Sequence, residues 1–233
     1  MPLSSLPALV EKWKQRPAIV ILPSPLGIEE MEDRNVLEFD AIILAAGSSS
    51  RMGQSKQLLD ICGEPLLRRT VRTVLDAKPN NVVVILGANR ESHAQVIKDL
   101  PVRIINNSSW QNGMGSSIKV GLRYLLEISP SSPAVIILVC DQPKLTSAVL
   151  NEMKDAFKRS NALLIANEYN GTLGVPAMFD KSLFDSLLNL PDNQGAKMII
   201  QENLSVAETL SFPEGAIDLD TPEDYLKFKD EKI

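Results

Sequence analysis

From residue 39 onward the apolar positions fall into two alternating rhythms. Short continuous apolar runs at Ala41–Ala46, Asn81–Leu86, Val102–Ile105, Ala134–Cys140 and Ala162–Ala166 have the length of strands buried on both faces. Between them lie helical stripes. Pro65 suits the first turn of a helix, and Leu66, Leu67, Thr70, Val71, Val74 and Leu75 then share one face. Glu91–Leu100, with Val96, Ile97 and Leu100 as its apolar positions, and Leu145–Phe157 read as two further helices, and a last helix follows Pro222. Strand alternating with helix predicts an α/β protein with a mainly parallel sheet.

Residues 1–38 break the rhythm. Leu3–Lys14 suits a short helix and Ala18–Leu22 is apolar and β-prone, but Pro17, Pro23 and Pro25 bound that run and argue against a central strand. Glu29, Glu30, Glu32 and Asp33 form an acidic connector. This stretch is an extension ahead of a domain spanning 39–233. Packing across that domain, joining an oligomer interface and partial mobility all stay open for it.

Composition narrows the chemistry. The 233 residues are enough for one large α/β domain, and a net charge of −5 gives no basic footprint for nucleic acid. No apolar run is long enough to span a bilayer and no secretory leader pattern opens the chain, so a cytoplasmic location is expected. Two cysteines and one histidine leave no zinc or disulfide framework. His93 is expected to be solvated or capping on its helix, and Cys140 to be a small buried apolar group at a strand end.

The informative stretch is LAAGSSSRMGQSK, residues 44–56. A strand that runs out into Gly47 and small serines makes a loop whose backbone amides can cradle an anion. Arg51 and Lys56 supply the cations that a triphosphate needs: Arg forks onto oxygens and Lys acts as a point charge. The spacing of Gly47 and Gly53 fits neither G-x-x-x-x-G-K-[ST] nor G-x-G-x-x-G. Asp141 follows the longest apolar strand, where open α/β sheets place ligand-binding groups, and reads either as a helix cap or as a Mg²⁺ ligand. A second acidic cluster, DLDTPEDY at 218–225, opens the last helix. A helix start explains Glu223 and Asp224 but not the carboxylates ahead of it, Asp218 and Asp220.

These stretches resemble a family. Residues 44–56 are closely similar to the signature LAAGxSxRMGxxK of the MobA-like nucleotidyltransferases, and more narrowly of the molybdenum-cofactor cytidylyltransferase (MocA-type) branch. VCDQP at Asp141 resembles the family's LGDQP, NNSSWQNGMGSS at 106–117 its NPxWxxGMxxS, and DLDTPEDY its D-[IVL]-D-T-P-x-D-Y. The chain departs at Ser108, where proline is usual, at Val175, often His, and at Asn193, usually Asp. The resemblance implies a Rossmann-like three-layer α/β/α sandwich with a mainly parallel mixed sheet, of the nucleotide-diphospho-sugar transferase type. It also implies a Mg²⁺-dependent transfer with Asp141 and Asp220 as metal ligands and Arg51 and Lys56 on the phosphates. Leu44, Ala45, Ala46, Gly47 and Ser48, with Arg51 and Lys56, would hold the nucleotide.

Gly113, Ser116, Gly174, Pro176 and Lys197 would face the acceptor. Gly113 and Gly115 would allow a close approach, Ser116 and Ser117 would cap the following helix, and Trp110 either flanks a ligand or packs. Lys197 reads equally as a solvated lysine at a helix start. The pair Ala46-Gly47, rather than Gly-Gly, implies CTP, although one methyl discriminates by only about 1–3 kcal/mol. The implied acceptor is molybdopterin, with a molybdoenzyme or its maturation factor downstream and neither nucleic acid nor membrane as partner. A transferase acting on a sugar phosphate or another alcohol phosphate, and a non-catalytic nucleotide-binding protein, stay open beside it.

Overall fold

The computed structural model describes residues 38–230. The short helix suited to Leu3–Lys14, the β-prone run Ala18–Leu22 and the acidic connector lie outside the described residues.

The first strand, β1 (Asp40–Ala45), is buried along its whole length. A loop then leads into a small hairpin, β2 (Asp60–Ile61) with β3 (Glu64–Pro65), and into α1 (Leu66–Asp76), whose N-cap position is Pro65. Next come β4 (Val82–Leu86), α2 (Arg90–Gln95), β5 (Arg103–Asn106), α3 (Met114–Ile128), β6 (Ala134–Val139) and α4 (Ser147–Arg159). The second half holds β7 (Leu164–Tyr169), β8 (Thr172–Asp180), α5 (Phe184–Leu188), α6 (Ala196–Glu202), β9 (Ala207–Ser211) and α7 (Pro222–Asp230).

Seven strands form one sheet in the order β5-β4-β1-β6-β8-β7-β9. Only β8 runs against the rest, pairing antiparallel with both β6 and β7. The two faces of β1 serve two cores. Ala41, Ile43 and Ala45 pack with Leu67, Val71 and Val74 of α1 and with Leu150 and Met153 of α4. Ile42 and Leu44 pack with Ile118 and Leu122 of α3, Leu187 of α5 and Ile200 of α6. The result is the expected three-layer sandwich, and it explains why β1 and β6 read as unbroken apolar runs: neither face meets water. Each fully buried Leu, Ile, Val or Met among these contributes about 1.5–3 kcal/mol.

Two local expectations are corrected, and a third segment is resolved. The helix expected over Glu91–Leu100 is α-helical only to Gln95, and turns carry the chain from Val96 onward. Val96 and Leu100 still pack on the core, so the apolar positions are met without helix. The segment Tyr169–Phe179, in which turn residues alternate with an apolar run, holds the end of β7, a two-residue turn and most of β8, a hairpin. Asn170 (φ 50°) and Gly171 (φ 68°) both take left-handed backbone at its two-residue turn, the conformation such a turn demands. The strand expected at Ala162–Ala166 begins at Leu164 and runs on to Tyr169.

Candidate active site

β1 is flanked by β4 on one side and β6 on the other, so connections leave it in opposite directions and a crevice opens at its C-terminal end. The strand leads straight into Ala46 and Gly47, and the loop carries on to Lys56. A cleft of about 360 Å³ lies there. Its walls include Ala46, Gly47, Arg51 and Lys56 from the loop, Trp110 and Met114 from the approach to α3, and Asp141 and Asp220.

Charge is concentrated at one end of this cleft. The Lys56 ammonium donates to Asp141 Oδ2 at 2.5 Å and to Asp220 Oδ1 at 3.2 Å, while Arg51 Nη2 donates to Asp220 Oδ2 at 2.6 Å. Burial pushes the lysine's pKa down, but Asp141 and, less strongly, Asp220 outweigh it and hold it above its ordinary value. Asp218, close by, has its carboxyl raised by desolvation and by the like charges of Asp220 and Asp141. Burial, then Asp141, pushes the neighbouring Cys140 thiol up to about 12, so it stays protonated and is no nucleophile.

Two carboxylates far apart in sequence meet because each is anchored beside it. Asp141 follows β6 directly, and Gln142, buried, donates from Nε2 to the Val175 and Gly215 carbonyls at 3.1 and 3.0 Å. Leu219 is fully buried against Met52, Leu59, Ile61, Leu66 and Phe228, and its amide donates to the Asp141 carbonyl at 3.2 Å. Asp220, next to that anchor, therefore turns into the cleft. α7 begins immediately after: Thr221 N–H donates to Asp224 Oδ2 at 2.9 Å and Asp224 N–H to Thr221 Oγ1 at 3.2 Å, a reciprocal capping box. Asp224 is thus spent on the helix start, and Asp220 is not.

The structure brings Leu44, Ala45, Ala46, Gly47, Ser48, Arg51, Lys56, Gly113, Asp141 and Asp220 to this one cleft. Ser116, Gly174, Pro176 and Lys197 are not among its walls. Ser116 is buried, and its hydroxyl accepts from Asn107 Nδ2 at 2.8 Å and faces the Ser109 and Gly113 carbonyls. It does not cap α3, whose N-cap position is Gly113 without a side-chain bond. Gly174 is tight because a Cβ there would collide with the Tyr169 ring. Lys197 is exposed on α6.

The close approach at Gly113 and Gly115 is also to protein. A Cβ on Gly113 would lie 2.5 Å from the Asp192 carbonyl oxygen, one on Gly115 would strike that of Pro191, and Gly115 N–H donates to the Asp192 carbonyl at 2.9 Å. Lys119 Nζ, paired with Asp192 Oδ1 at 2.5 Å, locks the same loop onto α3. Trp110 packs, since a Cβ on Gly87 would lie 2.6 Å from its Cγ, and it also lines the cleft.

Sequence reasoning missed two residues. Gln57 is buried, and its amide donates to the Ala45 and Gly47 carbonyls at 3.3 and 3.0 Å. His93, expected at the surface, is 0% exposed, and its Nε2 lies 2.5 Å from Ser55 Oγ. The sequence signal for Gln57 was only its place beside Lys56, and a lone histidine carries none.

Comparison with known proteins agrees with this architecture. Residues 41–207 match the MobA-like NTP transferase domain. The chain is 26% identical over 196 residues to the purine catabolism protein PucB of Bacillus subtilis (strain 168), covering 79% of this chain and 92% of that one. It is also 26% identical over 198 residues to the molybdenum cofactor cytidylyltransferase of Escherichia coli (strain K12), covering 82% and 95%. The crystal structure of Rv0371C from Mycobacterium tuberculosis H37Rv in complex with manganese shares the fold with a TM-score of 0.70 at 20% identity, over 84% of this chain and 100% of that one.

Proposed function

The chain belongs to the MobA-like NTP transferase family, and on that premise we propose that it moves CMP from CTP onto molybdopterin with release of pyrophosphate, in a Mg²⁺-dependent reaction. The observation that carries this reading is the meeting of Arg51 and Lys56 with Asp141 and Asp220 in one cleft at the sheet's switch point.

In the proposed reaction an acceptor phosphate oxygen attacks the α-phosphorus in line, a new P–O bond forms, and the bond to the β-phosphate oxygen breaks. The nucleophile belongs to the acceptor, which is why a chain with one histidine and a protonated buried thiol can support it. What the protein supplies is position and charge. Backbone amides of the loop after β1 receive the phosphates, Arg51 forks onto their oxygens and Lys56 follows the charge that develops on the leaving group.

Asp141 and Asp220 fit a hard divalent cation. Two oxygen donors already gathered around one ammonium are a donor set that Mg²⁺ accepts, with substrate phosphates completing it. When bound, the cation polarises phosphoryl oxygens. Cytosine is favoured by the methyl of Ala46, which lines the cleft and narrows the space a purine would need, and by the likeness to a cytidylyltransferase.

The test is pyrophosphate release from CTP, GTP, ATP and UTP with Mg²⁺, with and without molybdenum-loaded molybdopterin. Release from CTP only when molybdopterin is present is the expected result. Release with a sugar phosphate or alcohol phosphate instead would replace the acceptor, and CTP binding without release from any acceptor would replace the enzyme by a nucleotide-binding protein.

A further inference from the structure

The protein's single histidine has no part in the chemistry above, yet it is fully buried and hydrogen-bonded toward the nucleotide loop. The bonding pattern is directional. Gln57 Oε1 accepts from the hydroxyls of Ser49, at 3.0 Å, and Ser55, at 2.8 Å. Ser55 has one hydroxyl proton and spends it on Gln57, so the 2.5 Å contact with His93 requires the ring to donate from Nε2. His93 Nδ1 then carries the bare lone pair, and it is buried without a partner. Burial lowers the pKa of the ring, consistent with a neutral Nε2–H imidazole.

Downstream, the chain of bonds ends on the loop backbone. The two amide hydrogens of Gln57 go to the carbonyls of Ala45 and Gly47, which flank the strand end. Ser49, held in left-handed backbone at φ 57°, donates to Gln57 and accepts from the Lys56 amide at 3.0 Å. Both carbonyls, the strained serine and the amide of the lysine that spans the carboxylates are therefore tied to one buried glutamine. His93, reaching over from α2, orients the hydroxyl that holds it.

We propose that His93 is a positioning residue which, through Ser55 and Gln57, holds the loop of residues 46–56 in the shape that receives a triphosphate. This rests on the reading of that loop as the nucleotide cradle. A preformed cradle binds without first ordering itself, so loss of the brace weakens nucleotide affinity rather than only the fold.

The experiment is titration calorimetry of Mg²⁺-CTP into the full chain and into His93→Leu, His93→Gln and Ser55→Ala, well below their unfolding temperatures. The expected result is a Kd about tenfold or more weaker for His93→Leu and Ser55→Ala, with His93→Gln, which keeps a donor on a side chain of similar reach, within about threefold of wild type. A purely structural histidine would lower Tm and leave the Kd of the folded protein unchanged, and that result overturns the proposal. If wild-type protein binds none of the four triphosphates, the functional reading itself is what fails, and the proposal falls with it. Should the leucine variant not fold, nitrogen-15 shifts of His93 in the wild-type chain decide: the Nε2–H tautomer supports the brace and the Nδ1–H tautomer overturns it.

Discussion

At the scale of single residues, the cleft is organised by an ammonium between carboxylates. Lys56 is bonded to Asp141 and Asp220, and Arg51 to Asp220, before any ligand arrives, so a divalent cation entering alone meets a pair already neutralised. The metal should therefore enter with the triphosphate, and Lys56 should move from the carboxylates to the phosphates as it does. Asp141→Asn and Asp220→Asn are expected to lower kcat by about 10²-fold or more while the far-UV circular dichroism stays unchanged, because neither side chain belongs to a core. Lys56→Met should lower turnover by a similar factor and weaken triphosphate binding. The same variant has a pH signature. With its pKa held above 10.5 in the folded state, Lys56 contributes stability that is present below that value and lost as pH rises through the raised one. Urea unfolding from pH 8 to 11 should show that limb in wild type and not in Lys56→Met. Lys56, Arg51 and Asp141 were legible in the sequence because each stands at a fixed distance from a strand end. Gln57 and His93 were not, because a buried polar residue is recognised by its partners, and no spacing along the chain announces that Ser55 lies against a ring 38 residues away.

At the scale of elements, the segment from Ile217 to α7 shows a helix start and a site separated by one residue. Thr221 closes the capping box, and Leu219 fills the small third core two positions earlier. Thr221→Ala should cost about 1 kcal/mol in urea unfolding and Leu219→Ala about 2–5 kcal/mol. Only the second should also reduce turnover strongly, because Leu219 is the anchor that turns Asp220 inward. α2 carries a different dependence. His93 is buried neutral with its pKa below 6.5, so its contribution is intact above that pH and is lost as pH falls from 6.5 toward the lower folded value. Wild type should lose stability on acidification by at most about 1.4 kcal/mol per pH unit more than His93→Gln does. Element types from β1 to α4 followed largely from apolar rhythm, whereas β8, α5, α6 and β9 were not predicted from it. α2 fell short because Val96, Ile97 and Leu100 meet the core from turns as readily as from helix. The β7–β8 hairpin had a usable signal in Asn170-Gly171, set between two apolar runs. Glycines 113 and 115 show what spacing leaves open: sequence cannot say whether a close approach is to a ligand or to backbone, and here a Cβ on either would meet the Pro191–Gln194 backbone.

At the scale of the whole molecule, the fold and the cleft depend differently on ligands. Lys56 and Arg51 already balance Asp141 and Asp220, so the described sheet and its two main cores do not depend on a metal. Treatment with a chelator should abolish turnover, restored by Mg²⁺ or Mn²⁺, and leave Tm within about 2 °C of the untreated protein. The architecture was readable because six parallel strands around one reversed strand produce long apolar runs, whereas the acceptor's place was not, since Gly174, Pro176 and Lys197 stand away from the cleft walls. The sheet order has a further consequence. Among the described residues the nine strands end at Ser211, and Asp220 follows them. The sheet and the second carboxylate are thus separable inheritances: the strands can keep their pairing while changes after Ser211 decide whether Asp220 faces Lys56.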